Sequence, residues 1–288
     1  EDAPDALAAL AEVDMHALQT SGNCIRNVTA DHFAGAAIDE IEDPPIWCEI
    51  VRQWSTLHPE FSFLPRKFKI AVNALPDIDR AATQVHDVGV YIVRNAAGEV
   101  GYKIMVGGGL GRTPIIGSII REFLPRQDLI AYLDAVLRVY NLHGRRDNKY
   151  KARIKILVKA ITPAVFAEQV EAEFKHLQNG PLTVPAAEFA RLASFFTAPA
   201  YETLPAVSAE LAAARAGDAV LDNWLHRNVS AHKVPGYAIV TLSLKQVGIA
   251  PGDITAEQME AVADLADTFS FGELRTTHEQ NIVLADVK

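Results

Sequence analysis

Apolar positions first recur at helical spacing. Leu7, Leu10 and Val13 within "EDAPDALAALAEVDM" predict an opening helix. "HALQTS" then reads as a strand running into a turn at Gly22 and Asn23. Residues 44–57 predict a second helix, with proline at its start and Trp47, Ile50, Val51 and Trp54 on one face, ended by Pro59. "FKIAVNA", "VGVYIVRN" and "VGYKIMVGG" read as strands, the last two joined by the hairpin-like turn "RNAAGEVG". The spacing over 128–142 predicts a helix with Asp128 as its cap, Leu129, Leu133, Val136 and Tyr140 on the core face, and Gly144 just past its end. Thr162-Pro163 starts another, with Phe166, Val170 and Phe174 four apart.

From about 176 to 230, prolines at 181, 185, 199 and 205 break the pattern into a connector with partial helices. "YAIVTLSL" is then a strand, Thr255 and Gln258 form a capping box, and "ELRTTHEQNIVLADV" reads as one further strand. This β-α-β unit echoes the helix-then-strand reading of residues 3–20, so the two ends of the chain look like related halves of one module. Hairpins mixed with helices predict the α+β class rather than an alternating parallel sheet.

Composition narrows the function classes. The chain has 288 residues, 49% of them hydrophobic, enough for one large domain or two ordinary ones. No apolar run reaches the roughly 18 residues of a membrane helix, and no signal-peptide pattern opens the chain, so no membrane association and a cytoplasmic home are expected. The chain opens on Glu1 instead of Met, which reads as a piece of something longer. A net charge of −9 argues against broad nucleic-acid binding. Two cysteines, Cys24 and Cys48, are too few for a disulfide framework or a zinc site, and the nine histidines lack metal-binding spacing, so no metal ligand set is assigned.

Basic clusters run against that acidic average. In "FSFLPRKFKI", strand alternation puts Lys67 and Lys69 on one face, with Arg66, Phe68 and Ile70 on the other. Such a pair either pinches a small anion or protects an edge strand, and spacing alone favours edge protection. In "SGNCIRNVTA", Arg26 follows a turn; a lone arginine either pairs with a carboxylate or binds an oxyanion. "VGGGLGRTP" fails both the dinucleotide and the phosphate-loop patterns. It leaves a loop of backbone amides, or a plain tight turn. "GRRDNKYKARIKI" carries Arg145, Arg146, Lys149, Lys151, Arg153 and Lys155, with Arg153 and Lys155 read as the cationic face of a strand.

Taken in order, "TSGNCIRNV", "LPRKFKIAV", "VGGGLGRTP" and "NKYKARIKILV" resemble the siroheme-dependent nitrite and sulfite reductases, and residues 234–284 resemble that family's ferredoxin-like half-domain. The resemblance implies a siroheme-binding lobe of mixed or antiparallel sheet with helices over 21–175. Residues 1–20 would end a first half-domain, 176–230 would connect, and 231–288 would form the second half-domain. It implies six-electron reduction of sulfite to sulfide or nitrite to ammonia, with electrons from ferredoxin or a flavoprotein. Arg26, Lys67 and Lys69 would face the substrate anion. Asn27, Arg66, Gly107, Gly108, Gly109, Arg145, Arg153, Lys155, Gln280 and Asn281 would hold the many carboxylates of siroheme. The family also holds a 4Fe–4S cluster on cysteines that Cys24 and Cys48 do not match, so the cluster-binding lobe is expected outside this chain, which alone would be inactive. The alternative is a non-catalytic tetrapyrrole- or anion-binding module.

Overall fold

The structure, a computed structural model, describes residues 2–288. The opening helix forms as α1 (Ala3–Glu12), but it buries no side chain. The strand expected at "HALQTS" is absent: the segment is a run of turns in which Gln19 takes a positive φ of 61° and reaches Ser55 O with its side-chain amide. It finds no neighbouring strand to pair with, so the helix-then-strand echo of the C-terminal block is not present.

The main sheet has the order β1-β2-β3-β4-β5. Its strands are β1 (Ile25–Ala30), β2 (Phe68–Asn73), β3 (Val88–Arg94), β4 (Val100–Val106) and β5 (Ser118–Pro125). β1, β2 and β3 pair in parallel, β4 pairs antiparallel with β3, and β5 pairs antiparallel with β4. The pattern had disclosed β2, β3 and β4. It concealed β1 and β5, whose half-buried polar residues interrupt the apolar rhythm. The "RNAAGEVG" turn joins β3 to β4 as expected, closed by Asn95 N donating to Glu99 O.

Helices α2 (Pro44–Ser55), α3 (Leu129–His143), α4 (Ile154–Ile161), α5 (Pro163–Leu177) and α6 (Ala186–Ala193) supply the other side of the core. Trp47, Ile50 and Val51 of α2 and Phe166, Val170 and Phe174 of α5 are buried at the predicted spacings against Phe68, Ile70 and Val72. Two readings need correction. Asp128 stands at the α3 N-cap position, yet it is buried and makes no capping bond. Arg153 and Lys155 do not alternate along a strand. Ile154 and Val158 are buried one helical turn apart, so the segment is α4, with Arg153 at its cap position.

After α7 (Ala209–Gly217) and α8 (Ala219–Asn228), a four-stranded sheet of order β6-β7-β9-β8 follows. Its strands are β6 (Val229–Ala231), β7 (Ala238–Ser243), β8 (Arg275–Thr276) and β9 (Asn281–Val287), with α9 (Ala256–Phe269) opened by the Thr255/Gln258 capping box. The segment read as one last strand is a hairpin. Gln280 adopts a positive φ of 60°, and Thr277 Oγ1 accepts from the Glu279 and Asn281 amides, which reverses the chain.

The loop 31–43 ties this small sheet to the large one. Lys233 N donates to Ala36 O, Lys233 Nζ to Glu40, and the Arg275 guanidinium to Ala34 O. Asp43 lies in this seam with Oδ1 buried and unpartnered, and burial, then Glu40, pushes its carboxyl up to about 6. A raised acid pKa stabilises the fold fully below the unfolded value of about 3.9, and that contribution is lost as pH climbs through about 6. Asp43→Asn is therefore expected to leave stability at pH 4 unchanged and to raise it by about 2 kcal/mol at pH 8. Urea unfolding at the two pH values checks this.

Candidate anion and cofactor site

The register brings the N-terminal ends of the three parallel strands together: Ile25 pairs with Phe68, Ile70 with Val88, and Val88 with Val106. Arg26, Lys67, Lys69, Asp87 and the glycine loop after β4 therefore gather at one end of the main sheet. Buried Phe68 and Ile70 turn Lys69 to the opposite face, where its register partner is Asn27. Between Ile25 and Asn27, β1 advances two residues while β2 advances one, leaving Arg26 as the extra residue of a bulge. Bulges of this kind re-aim a side chain at the edge of a site. The Arg26 guanidinium is then held in place by Thr20 O, which accepts from both Nε and Nη2.

Asp87 is the keystone of this arrangement, and nothing in the sequence marked it. Its carboxylate is fully buried, takes Arg153 Nε and Nη2 at 2.9–3.1 Å, and accepts the Lys69 amide at 2.9 Å. Burial pushes its carboxyl above the ordinary value, opposed by the Arg153 guanidinium and the Lys69 amide. The outcome is that α4 is bound to the start of β2, with the outer edge of Arg153 still exposed. Among the described residues Arg26, Arg66, Lys67 and Lys69 form no ion pair with a carboxylate, whereas most other arginines do. Burial and then Lys69, Arg26, Arg153 and Arg66 hold the Lys67 ammonium below its ordinary value, which records how closely these cations crowd.

The glycine loop is more closely packed than a bare amide cradle. Gly107 N donates to Asp87 O and Gly109 N to Ile115 O, so two of its amides are already used. Gly107 takes a φ of +79°, and a Cβ on Gly108 would lie 2.4 Å from Gln84 O and 2.6 Å from His86 O. The glycines are thus explained by backbone geometry and close approach. Lys155 does not face outward either: its Nζ donates to Leu110 O and Thr113 O at 2.8 Å, clamping the loop. Arg145 is exposed and paired with Asp147. Gln280 packs against Gly252 on the β8–β9 turn, and Asn281 accepts from Lys245. The structure therefore gathers Arg26, Asn27, Arg66, Lys67, Lys69 and Arg153, and commits Lys155 and Arg145 elsewhere.

Residues 21–177 match the family described as the nitrite and sulphite reductase 4Fe-4S domain, and residues 236–288 match the nitrite/sulfite reductase ferredoxin-like half domain. The chain belongs to the nitrite and sulfite reductase family. It is 28% identical over 292 residues to a sulfite reductase (ferredoxin) 1 of Mycolicibacterium paratuberculosis, covering 100% of this chain and 44% of that protein. It is 28% identical over 295 residues to the chloroplastic ferredoxin–nitrite reductase of Arabidopsis thaliana, with the same coverage of 100% and 44%. The structure of the Mycobacterium tuberculosis NirA protein aligns with a TM-score of 0.71 at 25% identity, over 100% of this chain and 45% of NirA. The chain thus spans about half the length of the curated relatives it matches.

The family's cofactors are siroheme and a 4Fe–4S cluster. Siroheme, a macrocycle edged with carboxylates, fits the unpaired cations gathered here. The cluster does not fit these residues. It takes four thiolates, and the chain has two free cysteines, Cys24 and Cys48. Burial pushes both thiols up, away from the thiolate form. No group of three or more His, Cys, Asp or Glu able to hold a metal occurs among the described residues. No helix of the described residues is long and apolar enough to cross a membrane.

Proposed function

We propose that this chain is the substrate-facing, siroheme-cradling lobe of a reductase that converts sulfite to sulfide or nitrite to ammonia, with ferredoxin as the donor. The observation that carries the reading is the convergence of Arg26, Arg66, Lys67 and Lys69 without a carboxylate partner, beside a fifth cation, Arg153, whose buried partner leaves one edge exposed. The relatives' names support reductase chemistry and a ferredoxin donor, and give no support to a non-catalytic module. When bound, siroheme supplies the iron at which the oxyanion is reduced.

The chain's own residues divide the remaining tasks. Arg26 cannot release a proton at neutral pH, so it orients the anion and balances its charge. Lys67 gives up its proton more readily than an isolated lysine because of its burial and then its cationic neighbours. Lys67, with Lys69 two residues along at the same sheet end, is the donor for protons that the reduction consumes. Arg66 and the exposed edge of Arg153 are placed for peripheral carboxylates.

The chain alone is expected to bind siroheme saturably, seen as Soret and long-wavelength bands on titration. It is expected to show no methyl-viologen-driven turnover of sulfite or nitrite, because it lacks the cluster's ligands. Failure to bind siroheme would overturn the site; turnover would overturn the need for a cluster-bearing part.

A further inference from the structure

The N-terminal segment is fastened to the rest of the molecule right beside Arg26. Of residues 2–20, Gln19 alone is not exposed. Helix α1 buries no side chain, and Leu18 stands out in solvent. Between the 16–20 loop, β1 and α2 lies a cavity of about 260 Å³, lined also by Arg26, Asn27, Thr29 and Arg52. Apolar packing therefore does not hold this loop against the sheet; hydrogen bonds do.

The Gln19 side chain supplies them. Its Nε2 donates to Ser55 O at 3.1 Å, and its Oε1 accepts from Thr56 Oγ1 at 3.1 Å. A carbonyl only accepts, so the amide nitrogen faces Ser55 O and the amide oxygen faces the hydroxyl. The Thr56 hydroxyl shares its proton with Arg52 O, 2.7 Å away, so the bond to Ser55 O is the firmer of the two. Ser55 ends α2 and Thr56 is its C-cap residue, on a helix whose Trp47, Ile50 and Val51 are buried in the main core. The loop is moored to a fixed point.

The next residue carries the effect to Arg26. Gln19 takes its positive φ of 61°, and Thr20 Oγ1 donates to Ala17 O at 2.8 Å, which holds the turn. That backbone sets Thr20 O against the guanidinium, where it accepts from both Nε and Nη2. These two nitrogens form the side edge of the guanidinium plane. Holding that edge leaves the outer fork, Nη1 with the second N–H of Nη2, for an oxyanion.

We propose that Gln19 is a positioning residue for Arg26: by tying the loop to the end of α2, it keeps Thr20 O where it sets the guanidinium plane for the substrate anion. The inference rests on Arg26 binding that anion. An arginine whose plane is set beforehand loses less side-chain freedom when the anion arrives. Untied, the exposed loop swings away, and Arg26 has to find its orientation during binding.

Gln19→Asn is the discriminating variant. Asparagine keeps the amide and accepts the left-handed backbone, but it is one methylene too short to reach Ser55 O. In the chain without cofactor, the Arg26 Nε–H should exchange with solvent about fivefold faster in the variant, read by NMR. The urea midpoint should stay in place, because residues 2–20 bury no apolar side chain. In the complete reductase, KM for the anion should rise about fivefold, with kcat and the Soret band unchanged. In an Arg26→Met background, the same change at Gln19 should leave KM unaltered. An unchanged exchange rate, a lowered urea midpoint, an unchanged KM, or a KM effect that persists without Arg26 overturns the positioning role. Parent-like KM in Arg26→Met itself would instead defeat the place of Arg26 in the proposed function, which separates the two failures.

Discussion

Replacing Lys67 and Lys69 together by methionine in a reductase containing this lobe should lower turnover by about two to three orders of magnitude while siroheme stays bound. On the proposed assignment Arg66 and Arg153 remain to hold the macrocycle, so the Soret band should keep its intensity. What disappears is the pair of ammonium groups at the sheet end, one already held below its ordinary value by burial and then by its cationic neighbours. Arginine at position 69 separates the two contributions of that lysine. It keeps the charge but cannot donate a proton, so KM should hold while kcat falls. Steady-state kinetics with both anions provides the measurement. Turnover of the double variant within twofold of the parent would rule out these lysines as donors.

Asp87→Ala should destabilise the fold by about 3–5 kcal/mol, the usual consequence of stripping a buried partner from an ion pair. The Asp87 side chain is fully buried, while that of Arg153 is 23% exposed. The loss frees the Arg153 guanidinium and leaves the Lys69 amide without its acceptor. Arg153→Ala is the informative converse. It leaves the Asp87 carboxyl buried with its pKa raised, so the protein pays to ionise it. The stability lost should therefore be smaller at pH 5 than at pH 8. Denaturant midpoints at the two pH values measure it. A cost independent of pH would show that Asp87 does not titrate with its partner removed.

Helices α2 and α5 were legible in the sequence because each buries one continuous stripe. Trp47, Ile50 and Val51 of α2, and Phe166, Val170 and Phe174 of α5, declare their period without tertiary help. The strands that escaped notice carry polar residues where the apolar rhythm should be: Arg26 and Asn27 of the proposed site in β1, Arg121 and Glu122 in β5. A strand whose polar residues belong to a site looks like a loop to any period-based reading. The hairpin 275–287 was hidden for another reason. Its turn is made by Thr277 side-chain acceptance and a left-handed Gln280, with no glycine or proline to signal it.

The cations themselves were readable, and their gathering was not. Arg26, Lys67 and Arg153 lie far apart in sequence, and only parallel pairing with a bulge at Arg26 brings them to one sheet end. Asp87 was passed over because a buried carboxylate has no local sequence signature. Its role exists only once α4 returns to β3. Lys155 was misread because the segment's alternating Ile and Lys satisfy a strand as well as the first turn of a helix. The burial of Ile154 with Val158 decides for the helix.

The clamp that Lys155 places on Leu110 and Thr113 has a bearing on how this molecule ages. Arg112 projects at the crest of that loop, between the two carbonyls the ammonium grips and inside the Gly109–Ile115 bridge. A trypsin-like cut there would sever the polypeptide while leaving both new ends moored to the same side chain. The nicked protein would migrate as two pieces under denaturing electrophoresis and behave as one body in native solution.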